Sequence, residues 1–435
     1  MAVAPPGVRC VLACAGALLL LAGCGGSETT GSGEVSGEVS FLVFGEPEEL
    51  QAFRNVVGAF RDVEPEVTVK LVEASDRDDL LARLSTSFAG GDPPDLFLLN
   101  YRFYGQFAAR GVLEPIEQRV DDSEAFAQDD FYPQALDAFR FDGMLTCLPQ
   151  NISSLVVYYN KELFRQAKVS EPEPDWSWDD LVETALALTK DADGDGNVDR
   201  YGLGVEPSLI RIAPFVWSNG GEIVDDDEEP TRFALDTPAA QEAMQEFFDL
   251  RQAHAVVPTE EEIESEDDET RFQNGRTAMV LSSRRSTPTF RTITAFDWDV
   301  APLPRHREAA GILHSDAYCM TAASENKNAA WRFMEFALGP EGQRITARSG
   351  RTVPSLVEVS ESEAFLDKEA KPASSQVFLD GIPTIRRVPT ISTWPEIEDV
   401  SEGILEGGLY EAVPAEEVAR QLDEATQKIF ARAER

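Results

Sequence analysis

The sequence predicts an α/β protein in two lobes, and two observations carry that expectation. From residue 39 onward, short apolar and β-branched runs alternate with segments whose apolar residues recur at helical spacing, the pattern of a sheet flanked by helices. The chain is also 435 residues long, more than one hydrophobic core ordinarily organises, so two cores are expected.

The N-terminal segment is read separately from the fold. Leu21-Ala22-Gly23-Cys24 closes an apolar run over 11–21 that follows Arg9, and it puts a cysteine where bacterial lipoprotein signals are cut. At about 11 residues the run is too short to span a bilayer. Residues 1–23 therefore read as a lipoprotein signal peptide, Cys24 as the lipidated residue and membrane anchor, and 24–37, rich in Gly, Ser, Thr and Glu, as a flexible tether. Each buried methylene contributes about 0.8 kcal/mol and one acyl chain holds only marginally, so two or more chains on Cys24 are needed for a stable anchor. The other reading is an ordinary secretory signal in which Cys24 is incidental.

The elements follow in order. Residues 39–44, bounded by Gly37 and Gly45, read as a strand, and Leu50, Phe53, Val56, Val57 and Phe60 as one face of a helix. A strand over 67–72, a helix over 79–88 stopped by Gly90-Gly91, and a strand over 95–99 entered through Pro93-Pro94 complete a unit that predicts a parallel sheet. Further on, 155–159 is strand-like, 179–188 helical, and 278–281 strand-like before the polar Ser282-Ser283-Arg284-Arg285. The last helix follows Pro414 and carries its apolar stripe on Val418, Leu422, Ala425 and Ile429.

Charge excludes one class of partner. With 78 acidic and 38 basic residues the formal charge is −40, which opposes nucleic-acid binding. The acidic runs at 225–229 and 260–269 read as solvated surface. Of five cysteines, Cys10 and Cys14 leave with the signal. Cys147 and Cys319 then remain in an oxidising compartment, either as one disulfide or as two buried thiols.

Asp191, Asp193, Asp195, Asn197 and Asp199 repeat the oxygen-ligand spacing of a calcium loop, with Gly196 at its sixth position. Gly202 stands at the twelfth, where a bidentate Glu is usual. The segment is therefore either a structural Ca²⁺ site or an acidic turn without metal; no cofactor is otherwise required.

A secreted carbohydrate-active enzyme is the reading from a different class. It would need paired carboxylates in a cleft, which 78 acids supply by chance. Glu206-Pro207-Ser208 lacks the glycines of a nucleophile elbow, and His254, His306 and His314 have no metal spacing and read as lone structural or surface residues. No enzyme is expected.

The chain resembles the extracellular solute-binding proteins of ABC importers, the family that includes the maltose-binding protein and other sugar-binding lipoproteins. The resemblance covers nearly all of the mature chain. It rests on Phe44-Gly45, Gly91-Asp92-Pro93-Pro94-Asp95-Leu96, Gly111-Val112-Leu113 and Tyr159-Asn160-Lys161-Glu162-Leu163-Phe164. It continues through Trp217-Ser218-Asn219-Gly220-Gly221, Phe272-Gln273-Asn274-Gly275-Arg276-Thr277-Ala278-Met279, Ala301-Pro302-Leu303-Pro304 and Ala329-Ala330-Trp331-Arg332-Phe333, in that order.

The resemblance implies a type II periplasmic-binding-protein-like fold, with a hinge crossed near 151–154, 314–316 and 353–355. Lobe I is then 38–151 with 317–353, and lobe II is 152–316 with 354–435. Cys147 and Cys319 lie beside the first two crossings, which makes a bridge between those strands a natural pairing. A small-molecule solute, most readily a mono- or oligosaccharide, is expected between the lobes of a monomer that delivers it to ABC permease subunits; peptides and polyamines are the alternative solutes.

Sugars present hydroxyl edges and weakly apolar faces, so their sites combine aromatic platforms with planar polar groups. At positions matching the family's cleft, the candidates are Phe44, Asn100, Tyr101, Arg102, Asn151, Ser153, Trp217, Asn219, Arg285, Asp316 and Trp394. Arg102 and Ser153 stand where the maltose-binding protein places carboxylates, so maltodextrin itself is not implied.

Overall fold

The computed structural model describes residues 35–434; the signal peptide, Cys24 and most of the tether lie outside them. Two sheets organise this body. The first has the order Val67–Glu73, Gly37–Val43, Leu96–Asn100, Asp316–Met320, Cys147–Pro149. Its first three strands are parallel, as the strand-helix alternation requires. Asp316–Met320 enters antiparallel, with Asp316 opposite Asn100, because it arrives from the far part of the chain and not through a strand-helix-strand unit. The second sheet has the order Trp298–Ala301, Leu155–Asn160, Thr277–Ser283, Tyr201–Gly204, and only its last two strands run parallel. Both sheets are therefore mixed, where the sequence pattern predicts a parallel one.

Local chemistry accounts for the helices that cover the first sheet. Pro47–Val63 starts on a proline and buries Phe53, Val56 and Phe60. In Arg77–Gly90 the Asp76 carboxylate accepts the Asp79 amide at the N-cap, and the helix stops at Gly91, whose φ of +76° needs a residue without Cβ. Phe41, Phe53, Tyr318 and Phe333 meet between sheet and helices, the closest pair at 4.5 Å between ring centroids. A second aromatic centre, Tyr158 with Phe290, Phe272 and Trp298, fills the other lobe.

Cys147 lies directly opposite Cys319 in the first sheet, and the two form a fully buried disulfide with an S–S distance of 2.00 Å. Of the two sequence alternatives, the bridge is the one present.

Two details depart from the sequence reading. In the last helix, Ala415–Phe430, Thr426 is buried and Ala425 exposed; the Thr426 hydroxyl donates to the Leu422 carbonyl at 2.7 Å, so a polar residue takes the inner position. The acidic runs are also partly engaged. Glu266 pairs with Arg276 at 3.0 Å, Glu269 with Arg285 at 2.7 Å, and Glu228 with Arg387 at 2.8 Å. Among the described residues no helix is long and apolar enough to cross a membrane.

Three segments pass between the sheets side by side. The Ile152 amide donates to the Val353 carbonyl at 2.9 Å, and Ser153 and His314 exchange backbone bonds at 2.9 and 2.8 Å. The Ser315 hydroxyl caps the Asn151 carbonyl at 2.7 Å. These strand-like links are single bridges and not an extended ladder.

Candidate ligand cleft

The carboxyl ends of strands from both sheets open onto one cavity of about 520 Å³. Such crevices are where loops, rather than ladder-bound backbone, present side chains. From the first sheet come Phe44, the 75–77 turn and the 100–103 segment; from the second, 206–211 and 283–285; and between them Asn151, Ser153, His314 and Asp316. Glu398 and Glu402, on the helix Trp394–Tyr410, complete one side.

Seven of the eleven predicted ligand residues line this cavity: Phe44, Asn100, Arg102, Asn151, Ser153, Arg285 and Asp316. Several are held by one another. Asn100 Nδ2 donates to Asp316 Oδ1 at 3.0 Å, while Asn151 Oδ1 accepts the Asp316 amide at 2.8 Å. Asn100 Oδ1 also accepts the Arg102 amide, capping the helix Tyr101–Ala108 and fixing the direction in which Arg102 leaves the sheet. Arg102 then meets Glu398 at 2.7 Å with both side chains largely buried. Arg285 is half-exposed and reaches Glu269.

Four predicted residues are not in the cleft wall. Tyr101 is fully buried beneath it. Trp217 and Asn219 lie at the C-terminal end of the helix Leu209–Ser218, whose N-terminal end meets the cavity; ten residues at about 1.5 Å rise each set the two ends some 15 Å apart. Trp217 is buried with the Arg386 guanidinium 4.7 Å over its ring, and Asn219 donates to the Ala239 carbonyl and Glu242, both at 2.9 Å. Trp394 is fully buried, but its Nε1 donates to Glu398 Oε1 at 3.0 Å, so it orients a cleft carboxylate from behind.

Sequence reasoning misses Glu206, Ser208, Arg211, His314, Glu398, Glu49 and Arg351. The signal for 206–211 is present, because these residues follow the strand Tyr201–Gly204 at its carboxyl end. Testing Glu206-Pro207-Ser208 only as a nucleophile elbow overlooks it. His314 is a cleft residue and not a lone structural histidine. Burial, and then the guanidinium groups of Arg211 and Arg102, hold it well below its ordinary range and leave it neutral. Burial pushes Glu49 up to about 7 against the pull of Arg351, its ion-pair partner. The aromatic surface is sparse: Phe44 and Phe103 are the lining rings, and Arg77 sits 4.9 Å over the second.

A cavity reached by both sheets, lined by carboxylates, amides, hydroxyls and guanidinium groups, is built to hold a polar small molecule. A sequence model of the bacterial extracellular solute-binding proteins matches residues 45–344. The chain belongs to that family. This solute-binding protein is 27% identical over 334 residues to the maltotriose-binding protein of Pyrococcus abyssi, covering 74% of this chain and 68% of the relative. Its fold superposes on an ABC substrate-binding protein from Listeria monocytogenes in complex with cycloalternan, with a TM-score of 0.82 at 24% identity, covering 90% of this chain and 98% of that one. It also superposes on UgpB from Mycobacterium tuberculosis in complex with glycerophosphocholine, with a TM-score of 0.78 at 22% identity and coverage of 91% and 99%. The fold is the two-lobed α/β fold of type II periplasmic binding proteins.

Proposed function

We propose that this protein captures an extracellular solute of carbohydrate character between its lobes and delivers it to the permease of an ABC importer, held at the membrane by lipid on Cys24. The cleft carries the reading. At about 520 Å³ it has the size of a small-molecule site, and Asn100, Asp316, Arg102 and Glu398 offer the planar acceptors and donors that hydroxyl edges match, beside the faces of Phe44 and Phe103. The maltotriose-binding relative and the neighbour solved with cycloalternan favour a sugar; the neighbour solved with glycerophosphocholine keeps a non-sugar solute as the second reading.

The lobes in this proposal are 38–151 with 317–353 and 152–316 with 354–435. The three crossings act as the hinge, and the solute shifts the population toward a closed form that the permease recognises. A monomer suits this role because both lobes must stay free to move.

A thermal-shift screen of the full chain against mono- and oligosaccharides, with amino acids, peptides and polyamines as controls, tests the assignment. A ligand at 100 times its dissociation constant adds about 2.7 kcal/mol of stability, and stabilisation by sugars is the expected result. Stabilisation by controls alone overturns the carbohydrate assignment.

A further inference from the structure

The N-terminal end of the helix Leu209–Ser218 differs from the rest of the cleft wall. Ser208 at its N-cap makes no side-chain capping bond, its hydroxyl has no hydrogen-bond partner, and Ser208, Leu209, Ile210 and Arg211 line the cavity in succession. A helix start presents unbonded amides and the positive end of the helix dipole. Arg211, in the first turn, is only 5% exposed, yet its Nε and Nη1 have no partner. Its ion-pair partner, Glu206, reaches Nη2 at 3.3 Å from a position 55% exposed to solvent, and Glu269 acts on it from farther away.

The other guanidinium groups on this wall each have a partner: Arg77 has Asp78 and the Phe103 ring, Arg102 has Glu398, Arg285 has Glu269, Arg351 has Glu49, and Arg284 has the Gly350 carbonyl and Ser375. His314, whose Nδ1 lies 3.4 Å from the Ile312 carbonyl, is held neutral by burial and then by Arg211 and Arg102. The overall charge of −40 does not by itself oppose an anion beside Arg211. Exposed acids farther than about 8 Å are largely screened at physiological ionic strength, whereas groups inside the cleft are screened much less.

We infer that the solute carries an oxyanion, a carboxylate or a phosphate, which sits on the Ser208–Arg211 helix start and accepts from Arg211 and the Ser208 hydroxyl. This narrows the proposed carbohydrate to a sugar acid or sugar phosphate and rests on that reading. Each free N–H of Arg211 can donate to one oxyanion oxygen, while Nη2 stays with Glu206, and a helix start is a ready anion seat. Glu46, Asp399 and Glu402, elsewhere on the wall, are left to accept from the hydroxyls of the same solute.

Matched probes test the inference: glucose, glucuronate and glucose 6-phosphate, together with glycerol and glycerol 3-phosphate, each titrated calorimetrically into the full chain. At least one anionic member is expected to bind about 10-fold more tightly than its neutral parent. Arg211→Gln is expected to cost that ligand about 10-fold in affinity and its neutral parent less, and Ser208→Ala, which disturbs the core less, about 3-fold for the anionic ligand. Binding of neutral sugars as tight as that of their anionic partners overturns the oxyanion seat and leaves sugar capture standing. Binding of glycerol 3-phosphate without any sugar derivative keeps the seat and removes the carbohydrate. Anionic affinity unchanged in Ser208→Ala and in any folded Arg211→Gln protein, or no binding by any anionic probe, overturns the inference.

Discussion

Trp217 separates what a residue type suggests from what its position does. A tryptophan in a sugar-binding family reads as a stacking platform, but here the ring is 2% exposed and sandwiched beneath Arg386, which Glu222 holds at 2.6 Å and Asp227 at 3.2 Å. Its loss opens a cavity in the second lobe and removes a cation–π contact. Trp217→Ala is therefore expected to lower unfolding stability by about 3–5 kcal/mol, while the protein that remains folded binds solute with its original affinity. Chemical denaturation alongside calorimetry separates the two effects. A large loss of affinity in a protein of unchanged stability would return Trp217 to the ligand site.

The loop over 191–199 shows how an element's chemistry is set by spacing. Asp191 accepts the amides of Gly194 and Gly196 at 2.7 and 3.0 Å, and Asp195 accepts that of Asn197 at 2.7 Å. Gly196 turns at a φ of +92°, as the sixth position of a calcium loop requires. One oxygen from each of Asp191, Asp193 and Asp195 falls within 4.8 Å of the others, a like-charge crowding that a divalent cation relieves. We propose that Ca²⁺ stiffens this turn, with Asn197 and Asp199 as further oxygen donors. EGTA is then expected to lower the melting temperature by on the order of 2 °C, and calcium to restore it; identical melting curves would remove the metal. Spacing along an element is what sequence displays well, and the strand ends at Phe44, Asn100 and Arg285 were legible for that reason. The direction of the helix Leu209–Ser218 was not. Trp217-Ser218-Asn219-Gly220-Gly221 marks a helix end, with Gly220 at a φ of +81°, but only packing against Pro238–Gln252 decides that this end faces away from the cleft. Trp394 was hidden in the same way, because burial at 0% exposure turns a candidate platform into the support for Glu398.

At the scale of the whole molecule, the ion pair between Arg102 and Glu398 in the cleft wall is the one to test. Arg102 leaves the first sheet through the helix Tyr101–Ala108, and Glu398 belongs to Trp394–Tyr410, which packs on Pro238–Gln252, on Leu209–Ser218 and on Tyr101–Ala108 itself. Around this pair the two sides approach closely; a Cβ on Gly105 would lie 2.1 Å from the Thr390 carbonyl oxygen. The side chains of Arg102 and Glu398 are 16% and 14% exposed, so solvent screens their attraction less than it would a surface pair. If the three adjacent crossings act as the proposed hinge, such a pair favours the closed arrangement before any solute arrives. Glu398→Gln keeps the hydrogen bond from Trp394 available and removes the charge. If the pair contributes about 1 kcal/mol, the ligand-free population shifts about 5-fold toward the open form. Small-angle scattering should then show a larger radius of gyration without ligand and convergence with the parent protein at saturating solute. Equal radii in both states would mean that Arg102 and Glu398 line the cleft without governing its closure.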